Sequence, residues 1–179
     1  MKTISEKYKK IQSELHNSDK YYGRASIEFS PIVAGIMDHF KIDKISDYGA
    51  GKKRLLDALT KLKKSPRLYF PYDPVFPEYG NPKPADLVCC IDVLEHIEPE
   101  LLDNVLEELK NITTNLGFFT VHLGPSRKIL SDGRNAHINI MPMDWWLNKF
   151  SERFDIVRVS EHSIMGPGFW VVVKNKINN

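Results

Sequence analysis

The stretch Ile45-Ser46-Asp47-Tyr48-Gly49-Ala50-Gly51-Lys52-Lys53-Arg54-Leu55 constrains this chain more than any other. It reads as a short strand, a tight glycine turn and the start of a helix. Gly49 and Gly51 can take backbone angles closed to other residues, and without a Cβ they let a ligand approach the main chain. The helix that follows offers unpaired N–H groups and the positive end of its dipole. A strand that ends in such a turn is how open α/β sheets bind nucleotide-like cofactors. Glycine pairs between strand and helix are also ordinary turn chemistry, so the remaining sequence has to decide.

Upstream, Tyr8, Ile11 and Leu15 recur at helical spacing over 5–15, and Tyr21-Tyr22-Gly23-Arg24-Ala25 reads as a polar, aromatic loop. A second helix is expected from Ser30-Pro31, with serine as cap and proline in the first turn. Both would form an N-terminal helical cover, 1–41, on a sheet built from 42–179. Downstream, Leu55, Leu56, Leu59 and Leu62 mark a crossover helix, and a second strand over 67–73 ends on Asp73. Five prolines between 71 and 84 forbid a helix or central strand there and predict a loop. The most apolar strand, 86–94, is expected in the centre of a parallel sheet. A helix over 98–109 and a strand over 117–123 follow, then a long polar loop, 124–142, of the kind that carries function. Asp144 is expected to cap a helix bearing Trp145 and Trp146, and the runs 154–159 and 169–173 form a closing antiparallel pair.

A chain of 179 residues, 42% hydrophobic and 27% charged, fits one domain, 1–179, with a core of its own. It has no apolar run long enough to span a bilayer and no signal-peptide core at its start, so the expectation is a cytoplasmic protein without a membrane partner. Cys89 and Cys90 are adjacent in an apolar run and suit buried free thiols; a metal site needs spaced ligands, and none is expected. A net charge of +2 argues against a dedicated nucleic-acid surface without excluding nucleic acid.

Alternating strands and helices with a final hairpin resemble the class I S-adenosylmethionine-dependent methyltransferases, across most of the chain. Asp47-Tyr48-Gly49-Ala50-Gly51 is similar to that family's cofactor loop, and Asp73 stands where the family places the acid that binds the ribose hydroxyls. Asp92-Val93-Leu94-Glu95-His96-Ile97 resembles a further signature of these enzymes, and Gly133-Arg134-Asn135-Ala136-His137 with Trp145-Trp146 resembles small bacterial and phage-borne members. The resemblance implies a Rossmann-like α/β fold with a mostly parallel sheet. It implies S-adenosyl-L-methionine as cofactor, held by Asp47, Tyr48, Gly49, Ala50, Gly51, Tyr72, Asp73, Asp92 and Val93. Lys53 departs from the family, which commonly has its third glycine there, and the proline-rich segment replaces a regular helix and strand.

The residue chemistry points the same way. A carboxylate can accept both hydroxyls of a ribose diol, so an acid ending the second strand is in the right place. The expected reaction is methyl transfer to an unidentified acceptor, small molecule or macromolecule, and it needs in-line positioning and proton removal more than a dense catalytic cluster. His137 is the candidate base, supported by Asp92 and His96, and Arg134, Asn135 and Trp145 are candidates for orienting the acceptor. Two rival functions share some of these features. A nicotinamide-dependent oxidoreductase would need a small residue at Arg54, and a non-catalytic binding or scaffold protein would bind the cofactor without turnover.

Overall fold

The computed structural model describes residues 1–18 and 23–176. The elements run α1 (Glu6–Ser18), α2 (Ala25–Phe40), β1 (Lys44–Tyr48), α3 (Arg54–Lys61), β2 (Leu68–Tyr72), β3 (Ala85–Ile91), α4 (Leu102–Ile112), β4 (Thr113–His122), α5 (Met143–Ser151), β5 (Phe154–His162) and β6 (Gly168–Asn175). The six strands form one sheet in the order β2-β1-β3-β4-β6-β5. β1 pairs in parallel with β2 and β3, and β3 with β4. β6 pairs antiparallel with both β4 and β5. The carboxyl ends of four parallel strands therefore lie along one edge, with β3 inside the sheet as its apolar sequence predicts.

Side-chain alternation along the strands builds a core on each face. Cys90 and Phe119, opposite each other in register, pack with α4 and α5 through Leu106, Trp146 and Phe150. Their neighbours Cys89 and Phe118 turn to the other face, against Phe29 and Val33 of α2 and Leu55 and Leu59 of α3. Both cysteines are free and buried, on opposite sides of the sheet.

Several elements differ from the sequence expectation. α2 begins at Ala25, and Pro31 lies within it. Proline lacks the N–H that would bond the Ile27 carbonyl, and the Ser30 hydroxyl donates to that carbonyl instead, at 2.8 Å. Of the expected loop, Gly23 and Arg24 precede this helix, and Tyr21 and Tyr22 lie outside the described residues. The helix after β3 begins with a short 3₁₀ turn, Pro99–Leu101, before α4 proper. Pro142 is the N-cap of α5; Asp144 sits inside the first turn, where its Oδ1 accepts the Trp145 N–H at 2.9 Å. An acid there favours the helix through its dipole without being the cap.

The two N-terminal helices do not share a role. α2 covers a sheet face, whereas Tyr8 and Ile11 of α1 pack on Leu130 and Ala136 of the loop after β4. Ser5 caps α1 by accepting the Tyr8 N–H at 3.1 Å, and its own N–H and hydroxyl both donate to Glu98, at 2.8 and 2.6 Å. That pair anchors α1 across the carboxyl edge of the sheet. No helix among the described residues is long and apolar enough to cross a membrane.

Candidate functional site

The glycine turn is stitched to the end of β2. Gly49 and Ala50 donate their N–H groups to the Tyr72 carbonyl at 2.8 and 2.9 Å. The Gly51 N–H donates to Asp73 Oδ2 at 2.9 Å, and Asp73 Oδ1 accepts the Val75 N–H at 3.0 Å. From the proline-rich segment the Tyr79 hydroxyl donates to the Gly51 carbonyl at 2.9 Å. Gly49 has φ +79°, and a Cβ there would lie 2.4 Å from a Val93 methyl, so both conformation and space demand glycine. Lys53 takes a left-handed conformation itself with φ 56° and sets its ammonium over the Tyr79 ring at 5.2 Å.

A cavity of about 880 Å³ opens over this turn and the carboxyl ends of β1, β2, β3 and β4. Tyr48, Gly49, Ala50, Gly51, Asp73, Asp92 and Val93 line it, and α1 closes one side with Tyr8, Gln12 and His16. Two residues expected to hold the cofactor act from behind the wall. Asp47 is buried beneath it and accepts the Tyr69 hydroxyl; burial raises its carboxyl to about 7. Tyr72 supports the turn through its carbonyl and packs its ring on Tyr48 at 4.8 Å, outside the lining. Burial also raises the Asp73 carboxyl above its ordinary value, against the pull of the Val75 and Gly51 amides.

The opposite end is built where β3 and β4 finish. Asp92 leaves β3 with φ 50°; its N–H donates to the Thr120 hydroxyl oxygen at 2.8 Å, and that hydroxyl donates back to Asp92 Oδ1. Burial raises the Asp92 carboxyl, opposed by Thr120 and His122. Glu95 is fully buried and pushed well up by desolvation; Oε1 accepts the backbone N–H of His122 at 3.1 Å. His96 Nδ1 meets the Ala136 carbonyl at 2.8 Å and His137 Nδ1 the Gly124 carbonyl at 2.7 Å. A carbonyl only accepts, so each Nδ1 carries the proton and each Nε2 is the basic nitrogen. The two rings meet edge to face at 4.7 Å, and His122 lies 4.8 Å from His137. Burial lowers His96 to about 3, lowers His16 to about 4 and lowers His137 as well, so neutral imidazoles face the cavity near pH 7.

None of the three acceptor candidates lines the main cavity. Arg134 pairs with Asp132 at 2.8 Å and lies over the Tyr8 ring at 5.3 Å. Asn135 staples the loop: its Nδ2 donates to the Ser126 carbonyl, and its Oδ1 accepts the N–H groups of Ser126 and His137. Trp145 faces a second cavity of about 370 Å³ beside Lys149, and Trp146 is buried in the core. Neither tryptophan lines the main cavity. Conversely, His16, Glu98 and His122 line it without having been singled out in the sequence. A polar residue ending a strand, as His122 does, was the available signal; for His16 there was none.

No family model matches the chain, and no curated protein matches it in sequence. Solved structures do match. The 1,6-didemethyltoxoflavin-N1-methyltransferase of Burkholderia thailandensis, with 1,6-didemethyltoxoflavin and S-adenosylhomocysteine bound, aligns at TM-score 0.68 and 13% identity over 99% of this chain and 92% of that one. The magnesium protoporphyrin IX methyltransferase of Synechocystis PCC 6803, with S-adenosylmethionine bound, aligns at TM-score 0.64 and 12% identity over 98% and 100%. The chain has the Rossmann-like fold of these S-adenosylmethionine-dependent methyltransferases: a mostly parallel six-stranded sheet closed by an antiparallel hairpin.

Proposed function

We propose that this protein binds S-adenosyl-L-methionine in the main cavity and transfers its methyl group to an acceptor entering at the histidine end. The observation that carries this reading is Asp73, which ends β2, holds the Gly51 amide and lines the cavity beside the glycine turn. Both of its oxygens keep a lone pair beyond the amides they accept, which suits the two hydroxyls of a ribose. A volume of about 880 Å³ suits a cofactor and a small acceptor together. The glycine turn supplies close backbone approach, and Val93 and Tyr48 supply apolar and aromatic wall.

The cofactor, when bound, supplies a methyl group already activated on a sulfonium that leaves as a neutral thioether. This chain's own residues position the partners, exclude water beneath α1 and handle the acceptor's proton. His96 and His137, neutral and with Nε2 as the basic nitrogen, serve the acceptor end, and Asp92 lines the same cavity from the β3 exit. Free buried thiols at Cys89 and Cys90 support a reducing, cytoplasmic setting.

Calorimetric titration with S-adenosylhomocysteine, followed by detection of its formation from S-adenosylmethionine in metabolite extracts, tests the reading. Binding with turnover is expected. Binding without turnover across a broad acceptor panel would leave a cofactor-binding scaffold, and absence of binding would overturn the proposal.

A further inference from the structure

One buried carboxylate oxygen at the histidine end is left without a partner. Glu95 is fully buried, Oε1 accepts the His122 N–H, and Oε2 has no hydrogen-bond partner among the described residues. An unsatisfied buried carboxylate oxygen is costly, and native proteins rarely leave one without a reason. One carboxylate oxygen of Glu95 and one ring nitrogen each of His96 and His137 all lie within 4.8 Å of one another. Each histidine donates Nδ1–H to a backbone carbonyl, of Ala136 or of Gly124. Such an outer hydrogen bond fixes ring and tautomer in metal-ligating histidines and turns Nε2 toward the ion.

We propose that Glu95, His96 and His137 form a binding site for a divalent first-row transition cation. With its two cysteines adjacent and no spaced ligands, the sequence points to no metal site; these ligands converge only where the β3 exit meets the loop after β4. One carboxylate oxygen and two imidazoles suit zinc, manganese or cobalt, whereas magnesium and calcium prefer oxygen ligands throughout. Three protein ligands leave coordination positions open, and His96 and His137 line the main cavity, so those positions face the acceptor. An acceptor hydroxyl taking one would become more acidic, and His137 would then serve the acceptor as a ligand rather than as a free base.

Calorimetry on the intact chain with Zn²⁺, Mn²⁺, Co²⁺ and Mg²⁺ as separate titrants tests the site. One transition ion per chain is expected, with Mg²⁺ weaker by about a hundredfold. Glu95→Gln and His137→Ala should each weaken binding about tenfold or more, and His39→Ala, an exposed histidine on α2, should leave it unchanged. Melting temperatures of the variants separate lost ligation from lost folding, and the ligand-field absorption of bound Co²⁺ gives a second readout on any variant that stays folded. Binding unaffected by both ligand substitutions, or no binding to the folded wild-type chain, would overturn the site. Metal binding is read without cofactor or acceptor, so its failure is distinguishable from failure of the methyl-transfer reading.

Discussion

The Gly51 N–H donates to Asp73 Oδ2 at 2.9 Å, joining two residues 22 apart in sequence and fastening the turn after β1 to the end of β2. The same carboxylate lines the cavity, so one side chain shapes the turn and faces the proposed ribose. Asp73→Ala should weaken S-adenosylhomocysteine binding by about 1 to 3 kcal/mol, through loss of a charge-assisted acceptor. Unchanged affinity by calorimetry would remove Asp73 from the cofactor site.

Gly49 faces Val93 too closely for any side chain, and its φ is positive. Gly49→Ala should destabilise the fold by about 1 to 3 kcal/mol and abolish cofactor binding. Adding Val93→Ala should restore part of the stability by removing the collision, while the backbone cost stays. Urea unfolding of the two single variants and the double variant measures the coupling; strict additivity would show that the methyl groups do not collide. Gly51→Val, at φ 47° and with a Cβ 3.3 Å from His16, should lose binding through both the turn and the α1 wall.

His137 packs with His96 and His122 where β3 and β4 finish, the proposed acceptor end of the cavity. His137→Ala should change cofactor affinity by no more than a few tenths of a kcal/mol while slowing turnover about ten- to ten-thousand-fold. Affinity and rate measured on one preparation decide it. A large loss of affinity would place His137 against the cofactor instead, and full activity would leave the histidine end without its proposed role.

Asp47 predicts a pH dependence of stability. Its carboxyl is raised from 3.8 to about 7, chiefly by burial, so between those values the folded chain holds a proton that the unfolded chain has released. Stability contributed by this group therefore falls as pH rises through that window, at up to ~1.4 kcal/mol per pH unit. Asp47→Asn keeps an acceptor oxygen for the Tyr69 hydroxyl and carries no charge. Relative to wild type it should be close to neutral near about pH 4 and stabilising near about pH 8. A stability difference that stays constant across that range would show that Asp47 does not titrate with folding.

The strand, glycine turn and helix at 45–55, the acid ending β2 and the central apolar strand were legible in the sequence because they are local. A continuous apolar run, glycines and a terminal carboxylate declare themselves within a few residues. The start of α2 was not legible, because Ser30 relieves the missing proline bond from inside the helix, a rescue that only the folded backbone reveals. Nor did the sequence sort the polar residues of the loop after β4. Asn135 and His137 are two positions apart; one became the staple of the loop and the other a wall of the cavity, according to which carbonyls and amides the fold brought near. Trp145 and Arg134 carried suitable chemistry but were turned away by the packing of α5 and α1. Convergence of Glu95, His96 and His137, and the seating of His16 over the turn, depend on contacts distant in the chain. Local composition sets the elements and the turn, whereas long-range packing alone decides which side chains share one cavity.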